Sequence, residues 1–186
     1  GETVLIIDEI NRGNISKIFG ELLSLIESDK RNPKWSLTLP YSGREFSVPN
    51  NLYLLGMMNT ADRSISLVDY ALRRRFGFVN ILPAFDKPHF KTLLSQSGIS
   101  TELIEKIISK LTKLNLAIVS APQLGDGFAI GHSYFIPSQK FSNQDTSPEE
   151  HAWYETIVKY EIKPLLEEYW FDDPVTADEL VSELLK

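Results

Sequence analysis

The sequence predicts an α/β segment followed by an all-α segment. Three observations carry this expectation. A β-branched apolar run, Thr3–Ile7, closes on the two acids Asp8 and Glu9. A second apolar run, Asn51–Met58, follows after a segment with helical periodicity, which is the β-α-β order of a parallel sheet. Beyond Pro83 the strand-like runs stop, and the long stretch Thr101–Ser120 carries its apolar residues on one helical face.

Taken in order, Thr3–Ile7 reads as a buried parallel strand, because such strands are apolar on both faces. Asn14 is placed to cap a helix whose apolar positions Ile15, Ile18, Phe19, Leu22, Leu23 and Ile26 repeat every 3.6 residues, fading near Ser28. Between Asp29 and Pro49, Trp35–Leu39 and Glu45–Val48 flank Tyr41-Ser42-Gly43-Arg44, the pattern of a hairpin. Asn51–Met58 is the second buried strand. Ser66 caps a short helix from Leu67 to about Arg75, with Asp69 at its third position, and Phe76–Leu82 is expected to be a third strand.

In the second segment, Lys87–Ser95 and Thr101–Ser120 are expected helices. The latter's apolar face is Leu103, Ile104, Ile107, Ile108, Leu111, Leu114 and Ile118, and Pro122 stops it. Gly125–Pro137 is a Gly-rich loop leading into a short apolar stretch, and Ser138–Thr146 is polar and exposed. Ser147-Pro148-Glu149-Glu150 supplies a Ser cap, Pro at the first position and Glu at the third. That helix runs toward Phe171 with a kink at Pro164. Thr176-Ala177-Asp178-Glu179 opens a last helix through Leu185. The expected domains are 1–83 and 84–186.

Composition narrows the function classes. The chain has 186 residues, 42% hydrophobic and 24% charged, which fits a globular protein rather than a disordered tail or a fibre. It has no Cys, so a disulfide framework, a thiolate metal site and a cysteine nucleophile are all excluded. That fits a reducing compartment, and a cytoplasmic setting is expected, although many secreted chains also lack Cys. No apolar run approaches the ~20 residues of a membrane span. The net charge of −6 argues against this chain being the main nucleic-acid anchor.

Three clusters carry chemistry. Adjacent carboxylates at the C-terminal end of a parallel strand sit where open α/β sheets bind ligands. There, Asp8 can hold Mg²⁺ through water while Glu9 orients or deprotonates an attacking water. An Asp-Glu pair ending an apolar strand also arises by chance. Asn59, closing the second strand, would emerge at the same edge, where an amide can bond both a γ-phosphate oxygen and the water. A turn built from Asn, Thr and Asp is the plainer alternative. Arg73, Arg74 and Arg75 cannot share one helix face. A guanidinium among them presented at a subunit edge stabilises transferring phosphoryl charge, and a solvated basic patch is the alternative.

The order strand with Asp-Glu, helix, strand with Asn, helix with Arg-Arg-Arg-Phe, then a helical domain resembles the C-terminal half of an AAA+ P-loop nucleotidase core with its lid. Five stretches narrow the resemblance: Ile6-Ile7-Asp8-Glu9-Ile10-Asn11-Arg12, Met58-Asn59-Thr60-Ala61-Asp62-Arg63-Ser64, Val68-Asp69-Tyr70-Ala71-Leu72-Arg73-Arg74-Arg75-Phe76, Gly131-His132-Ser133-Tyr134-Phe135 and Pro164-Leu165-Leu166-Glu167-Glu168-Tyr169. Together they resemble the McrB family, the GTP-hydrolysing motor subunits of modified-cytosine-dependent restriction systems, over nearly the whole chain.

The resemblance implies roles. Asp8 matches the Mg²⁺-associated Walker B acid, Glu9 the catalytic glutamate and Asn59 sensor 1. Asp62 and Arg63 belong to the family signature and help place the water. Arg74 and Arg75 match arginines offered in trans to the next subunit's nucleotide, with Arg73 in reserve. His132 and Ser133 lie in the helical lid where AAA+ proteins touch nucleotide, although a lone His such as His132 is more often a hydrogen-bonded structural residue. The resemblance further implies GTP or ATP as substrate, Mg²⁺ as cofactor, a homo-oligomeric ring such as a hexamer, a McrC-like nuclease subunit, DNA contacted through another domain or partner, and no membrane.

One departure is large. These 186 residues contain no Gly-x-x-x-x-Gly-Lys-Ser/Thr loop, and Gly125-Asp126-Gly127 is followed by no Lys-Ser. The phosphate-cradling loop is expected upstream of Gly1, and the chain alone is expected to be inactive. A MoxR-like remodelling ATPase would share Asp8, Glu9 and Asn59 without needing the Met58–Arg63 run. A non-catalytic interaction module is the third reading.

Overall fold

The computed structural model describes residues 1–59, 61, 70–141 and 147–186. The chain is α/β first and all-α second, and it divides into two units, Gly1–Asn80 and Ile81–Lys186.

In the first unit, β1 (Thr3–Ile7) and β4 (Leu52–Gly56) form a parallel pair in the register Thr3↔Leu52 through Ile7↔Gly56. Between them lie α1 (Ile15–Phe19), a 3₁₀ segment Gly20–Ile26, and a small hairpin of β2 (Leu37–Thr38) and β3 (Glu45–Phe46). The Asn14 side chain caps α1 as expected, accepting from Lys17 N–H at 2.9 Å. The helix stays α-helical only to Phe19. Gly20 takes φ 51° and ψ −128°, a conformation open to glycine, and the chain tightens into 3₁₀ geometry beyond it. Arg31 ties the end of this segment to β4, donating to Ile26 O at 2.8 Å and to Leu52 O at 2.6 Å.

The sheet departs from expectation in two ways. The strands are not buried on both faces. Val4, Leu5, Ile6, Tyr53 and Leu55 are exposed, whereas Ile7 and Leu54 pack on the cluster of Ile10, Ile15, Leu23, Ile26 and Leu72. Two strands covered by one layer of helical turns can shelter only one face. The second departure is the stretch Phe76–Leu82, which forms no strand. Its apolar residues have the right composition, but among the described residues no neighbouring strand supplies a ladder, and Val79 and Ile81 are exposed. The cap Ser66, Asp69 and the start of the expected helix lie outside the described residues; the described part is α2 (Tyr70–Arg73).

The second unit is helical: α3 (Pro88–Gln96), α4 (Thr101–Ser120), α5 (Ser147–Ile157), α6 (Lys163–Tyr169) and α7 (Pro174–Leu185). α4 matches its sequence reading residue for residue. Ser100 Oγ caps it, accepting from Leu103 N–H, and Ala121 is driven to extended geometry by the following Pro122. Its expected apolar face is buried, Ile108 only partly, against Phe90, Phe135, Tyr154, Ile162 and Leu166. The expected kink at Pro164 is a π turn over Val158–Ile162, since Pro164 has no N–H to continue the α ladder. The cap of α7 lies three residues before the expected Thr176. Asp173 is the cap instead, accepting from Thr176 N–H at 3.2 Å and Thr176 Oγ1 at 2.6 Å, with Pro174 pre-set for the first turn. These two bonds hold the Asp173 carboxyl below the usual carboxylate range.

Two polar contacts staple this core. Glu150, 1% exposed, accepts from Ser100 N–H at 2.8 Å and so joins α5 to the start of α4, where the helix dipole favours a carboxylate. Tyr154 donates to Leu184 O at 2.9 Å, and burial raises its phenol pKa. Glu150→Ala should therefore cost about 1–3 kcal/mol by orphaning a buried N–H. Glu150→Gln, which keeps an acceptor, should recover most of that. Hydrogen exchange at the start of α4 together with thermal unfolding reads both, and equal losses for the two variants would remove Glu150 as the staple.

Candidate functional site

The C-terminal edge of β1 and β4 is built by a local excursion. Met57 N–H donates to Ile7 O at 2.9 Å, and Ile10 N–H then donates to Met57 O at 2.9 Å. One residue of β4's extension thus receives the chain on both sides of Asp8 and Glu9, which are expelled from the ladder and left exposed at the edge. Glu9 makes the excursion possible with φ 50° and ψ 43°, the one non-glycine positive φ among the described residues. Left-handed geometry at a Glu costs on the order of 1–3 kcal/mol, and such strain concentrates at functional sites. Gly56 makes room for the return, since a Cβ there would lie 2.8 Å from Ile10 Cδ1.

The two carboxylates have different surroundings. Asp8 Oδ1 accepts from Glu9 N–H at 2.9 Å. Glu9 Oε2 lies 2.9 Å from Arg12 Nε, both side chains being about half-exposed or more. Asn59 reaches the same edge from β4. Its Oδ1 accepts from Ala61 N–H at 3.0 Å, which fixes the amide and leaves its nitrogen as the donating end. Asn11 bridges the two strands, donating from Nδ2 to Asn59 O at 3.3 Å. Asp8, Glu9 and Asn59 are thus brought together; Asp62 and Arg63 lie outside the described residues.

Arg73 ends α2, and Arg74 and Arg75 follow it. Arg75 and Phe76 donate their N–H groups back to Leu72 O and end the helix. Arg73 and Arg74 are exposed. Arg75 is largely covered, with Nη2 2.8 Å from Glu27 Oε1. Lys30 first, and Arg75 after it, hold the Glu27 carboxyl below the usual range. Their support is complete above the ordinary carboxylate pKa and is lost as pH falls through the lowered one.

His132 and Ser133 lie in the second unit. His132 Nδ1 accepts from Ala84 N–H at 3.1 Å, and its ring meets Phe85 and Phe90 edge-on. Asn115 on α4 holds the preceding loop through Ile130 N–H at 2.7 Å and Ile130 O at 3.0 Å. A groove of about 280 Å³ beside these residues is walled by Leu82, Phe85, Leu116 and Val119, with Asp86 and Asp126 also lining it. Sequence reasoning gave no individual role to Asn11, Arg12 or Asn115, and it read Glu150 only as part of a helix start. Asn11 and Arg12 entered it only as the end of the stretch 6–12 that carries the resemblance.

Among the described residues, no three His, Asp or Glu side chains converge on one point, so these residues form no closed cage for a cation. A single exposed carboxylate such as Asp8 suits a Mg²⁺ that keeps several waters and takes its other ligands from phosphate. The residues present fit that ion. Among the described residues, no helix is long and apolar enough to cross a membrane.

Comparison with known proteins agrees with an α/β segment followed by a helical lid. Residues 2–76 match the AAA domain (dynein-related subfamily), and residues 106–178 match the McrB alpha-helical lid domain. The chain is 47% identical over 186 residues to the Type IV methyl-directed restriction enzyme EcoKMcrB subunit of Escherichia coli (strain K12), covering 98% of this chain and 40% of that protein. It is 30% identical over 87 residues to the Type II restriction enzyme BsuMI component YdiS of Bacillus subtilis (strain 168), covering 40% of this chain and 25% of the relative. The AAA match contains the edge with Asp8, Glu9 and Asn59, and the lid match contains α5, α6 and His132. The chain belongs to the McrB-type AAA+ family and corresponds to the C-terminal part of its AAA+ module.

Proposed function

We propose that this chain carries the hydrolytic edge of a GTP-preferring AAA+ motor in a DNA restriction system. The observation that supports this reading best is the shared edge: two parallel strands deliver Asp8, Glu9 and the amide of Asn59 to one place. Glu9 accepts a proton from the attacking water or orients that water. Asn59 Nδ2 donates to an oxygen of the γ-phosphoryl group, stabilising charge that grows in the transition state. Asp8 would hold Mg²⁺ through water, and the ion would supply charge neutralisation on the phosphates. Asp62 and Arg63 help place the water. His132 fixes the lid against Ala84, and Ser133 contacts nucleotide.

The same reading makes activity a property of an assembly. The chain works as part of a homo-oligomeric ring, a hexamer, in which Arg74 or Arg75 completes the neighbour's site. It drives a McrC-like nuclease subunit, with DNA engaged through another domain or partner. The chain spans 40% of the E. coli relative's length, so the test uses the full-length protein. Steady-state turnover should favour GTP over ATP by about tenfold or more in kcat/KM, a margin that a site hydrogen-bonding the base readily supplies. Equal or better use of ATP would replace the restriction motor with a MoxR-like remodelling ATPase.

A further inference from the structure

Asn11 is a half-buried amide placed between the two halves of the proposed hydrolytic edge. It sits one residue past Ile10, whose N–H closes the excursion that expels Glu9. Its Nδ2 reaches across 48 residues of sequence to donate to Asn59 O at 3.3 Å. Its Oδ1 is buried, and among the described residues no protein group bonds to it. A buried acceptor left in that state costs on the order of 1–3 kcal/mol. For stability alone, an apolar residue of the same shape would serve this position better. The amide instead links the Glu9 turn to the residue bearing the proposed sensor amide.

We propose that Asn11 is a positioning residue, setting the Asn59 amide relative to the Glu9 carboxylate. The inference rests on the hydrolytic reading above. As a positioning residue, Asn11 acts through Asn59 rather than on the reacting atoms. It fixes the main chain of Asn59, whose own side chain is already oriented by the bond to Ala61 N–H. A misplacement of about 1 Å at such a site costs on the order of 10²-fold in rate without a matching loss of ground-state binding.

The test is a double-mutant cycle in the full-length protein, with Asn11→Leu, Asn59→Ala and the pair, read as kcat and KM for GTP. Asn11→Leu should lower kcat about 10- to 100-fold while KM and the affinity for a non-hydrolysable GTP analogue stay within about threefold. In the Asn59→Ala background the same change should cost little more, because its route of action is gone. Full additivity, or a normal kcat in Asn11→Leu, overturns the proposal. Should Asn11→Leu fail to fold, Asn11→Asp keeps the shape and removes the donor. It should show the same kcat loss, and normal turnover in it would likewise overturn the proposal. Glu9→Gln run alongside separates the two levels. Normal hydrolysis in Glu9→Gln defeats the hydrolytic reading itself, whereas a dead Glu9→Gln beside normal Asn11 variants defeats this inference alone.

Discussion

Glu9→Gln in the full-length protein should bind nucleotide with near-normal affinity and lose hydrolysis by about 10²-fold or more. The carboxylate acts on the attacking water, so its contribution appears in the transition state and hardly at all in ground-state binding. Two structural facts sharpen the expectation. Glu9 sits at an exposed strand end in strained left-handed geometry, and its partner is the half-exposed Arg12. Losing an exposed ion pair of this kind costs little stability. A Gln keeps the side-chain length, and the backbone is held by Ile7, Met57 and Ile10. The variant should therefore unfold at the same temperature as the parent. Asp8→Asn should behave differently, weakening Mg²⁺-dependent binding as well, because it removes the charge beside the metal. Turnover assays with nucleotide-binding calorimetry on both variants check the contrast.

Arg74→Ala should also abolish hydrolysis, but only because each site borrows the residue from a neighbour. Fingers of this kind contribute on the order of 10³–10⁵ in turnover in other phosphoryl-transfer systems. The structure separates the two adjacent arginines. Arg74 is exposed in the turn after α2, while Arg75 is largely covered and ion-paired to Glu27. Arg75→Ala should thus lower both activity and stability, and Arg74→Ala activity alone. Mixing inactive Arg74→Ala with inactive Glu9→Gln should restore part of the turnover, since some interfaces then pair an intact finger with an intact carboxylate. The readout is turnover across a titration of the two variants, with mixed rings verified by mass. No recovery at any ratio would place Arg74 outside catalysis in trans.

How much of this was legible beforehand follows from the range of each interaction. α4 was read to the residue because its signals are local, the 3.6-residue period and Pro122, and the Ser100 cap found in the structure agrees with them. The parallel order of β1 and β4 followed from the β-α-β pattern, and it placed Asp8, Glu9 and Asn59 on one edge. Phe76–Leu82 misled because strand composition is local and ladder pairing is not. The start of α7 misled because Asp173-Pro174 and Thr176 are both capping signals, and only the folded chain shows Asp173 accepting from Thr176. Glu150 with Ser100, Asn11 with Asn59 and Arg75 with Glu27 join residues about 50 positions apart, and no periodicity or short motif announces such a partner. The positive φ of Glu9 was equally hidden, because it arises from Met57 bonding the chain on both sides of the acids.

The central claim is that one sheet edge performs the hydrolysis. The most direct test is a structure of the full-length protein with Mg²⁺ and a non-hydrolysable GTP analogue. The account predicts Asn59 Nδ2 within hydrogen-bonding distance of a γ-phosphate oxygen, and a water held between that phosphorus and the Glu9 carboxylate. A nucleotide bound with its γ-phosphate away from this edge, or with Glu9 turned out of reach of any water near it, would contradict the account.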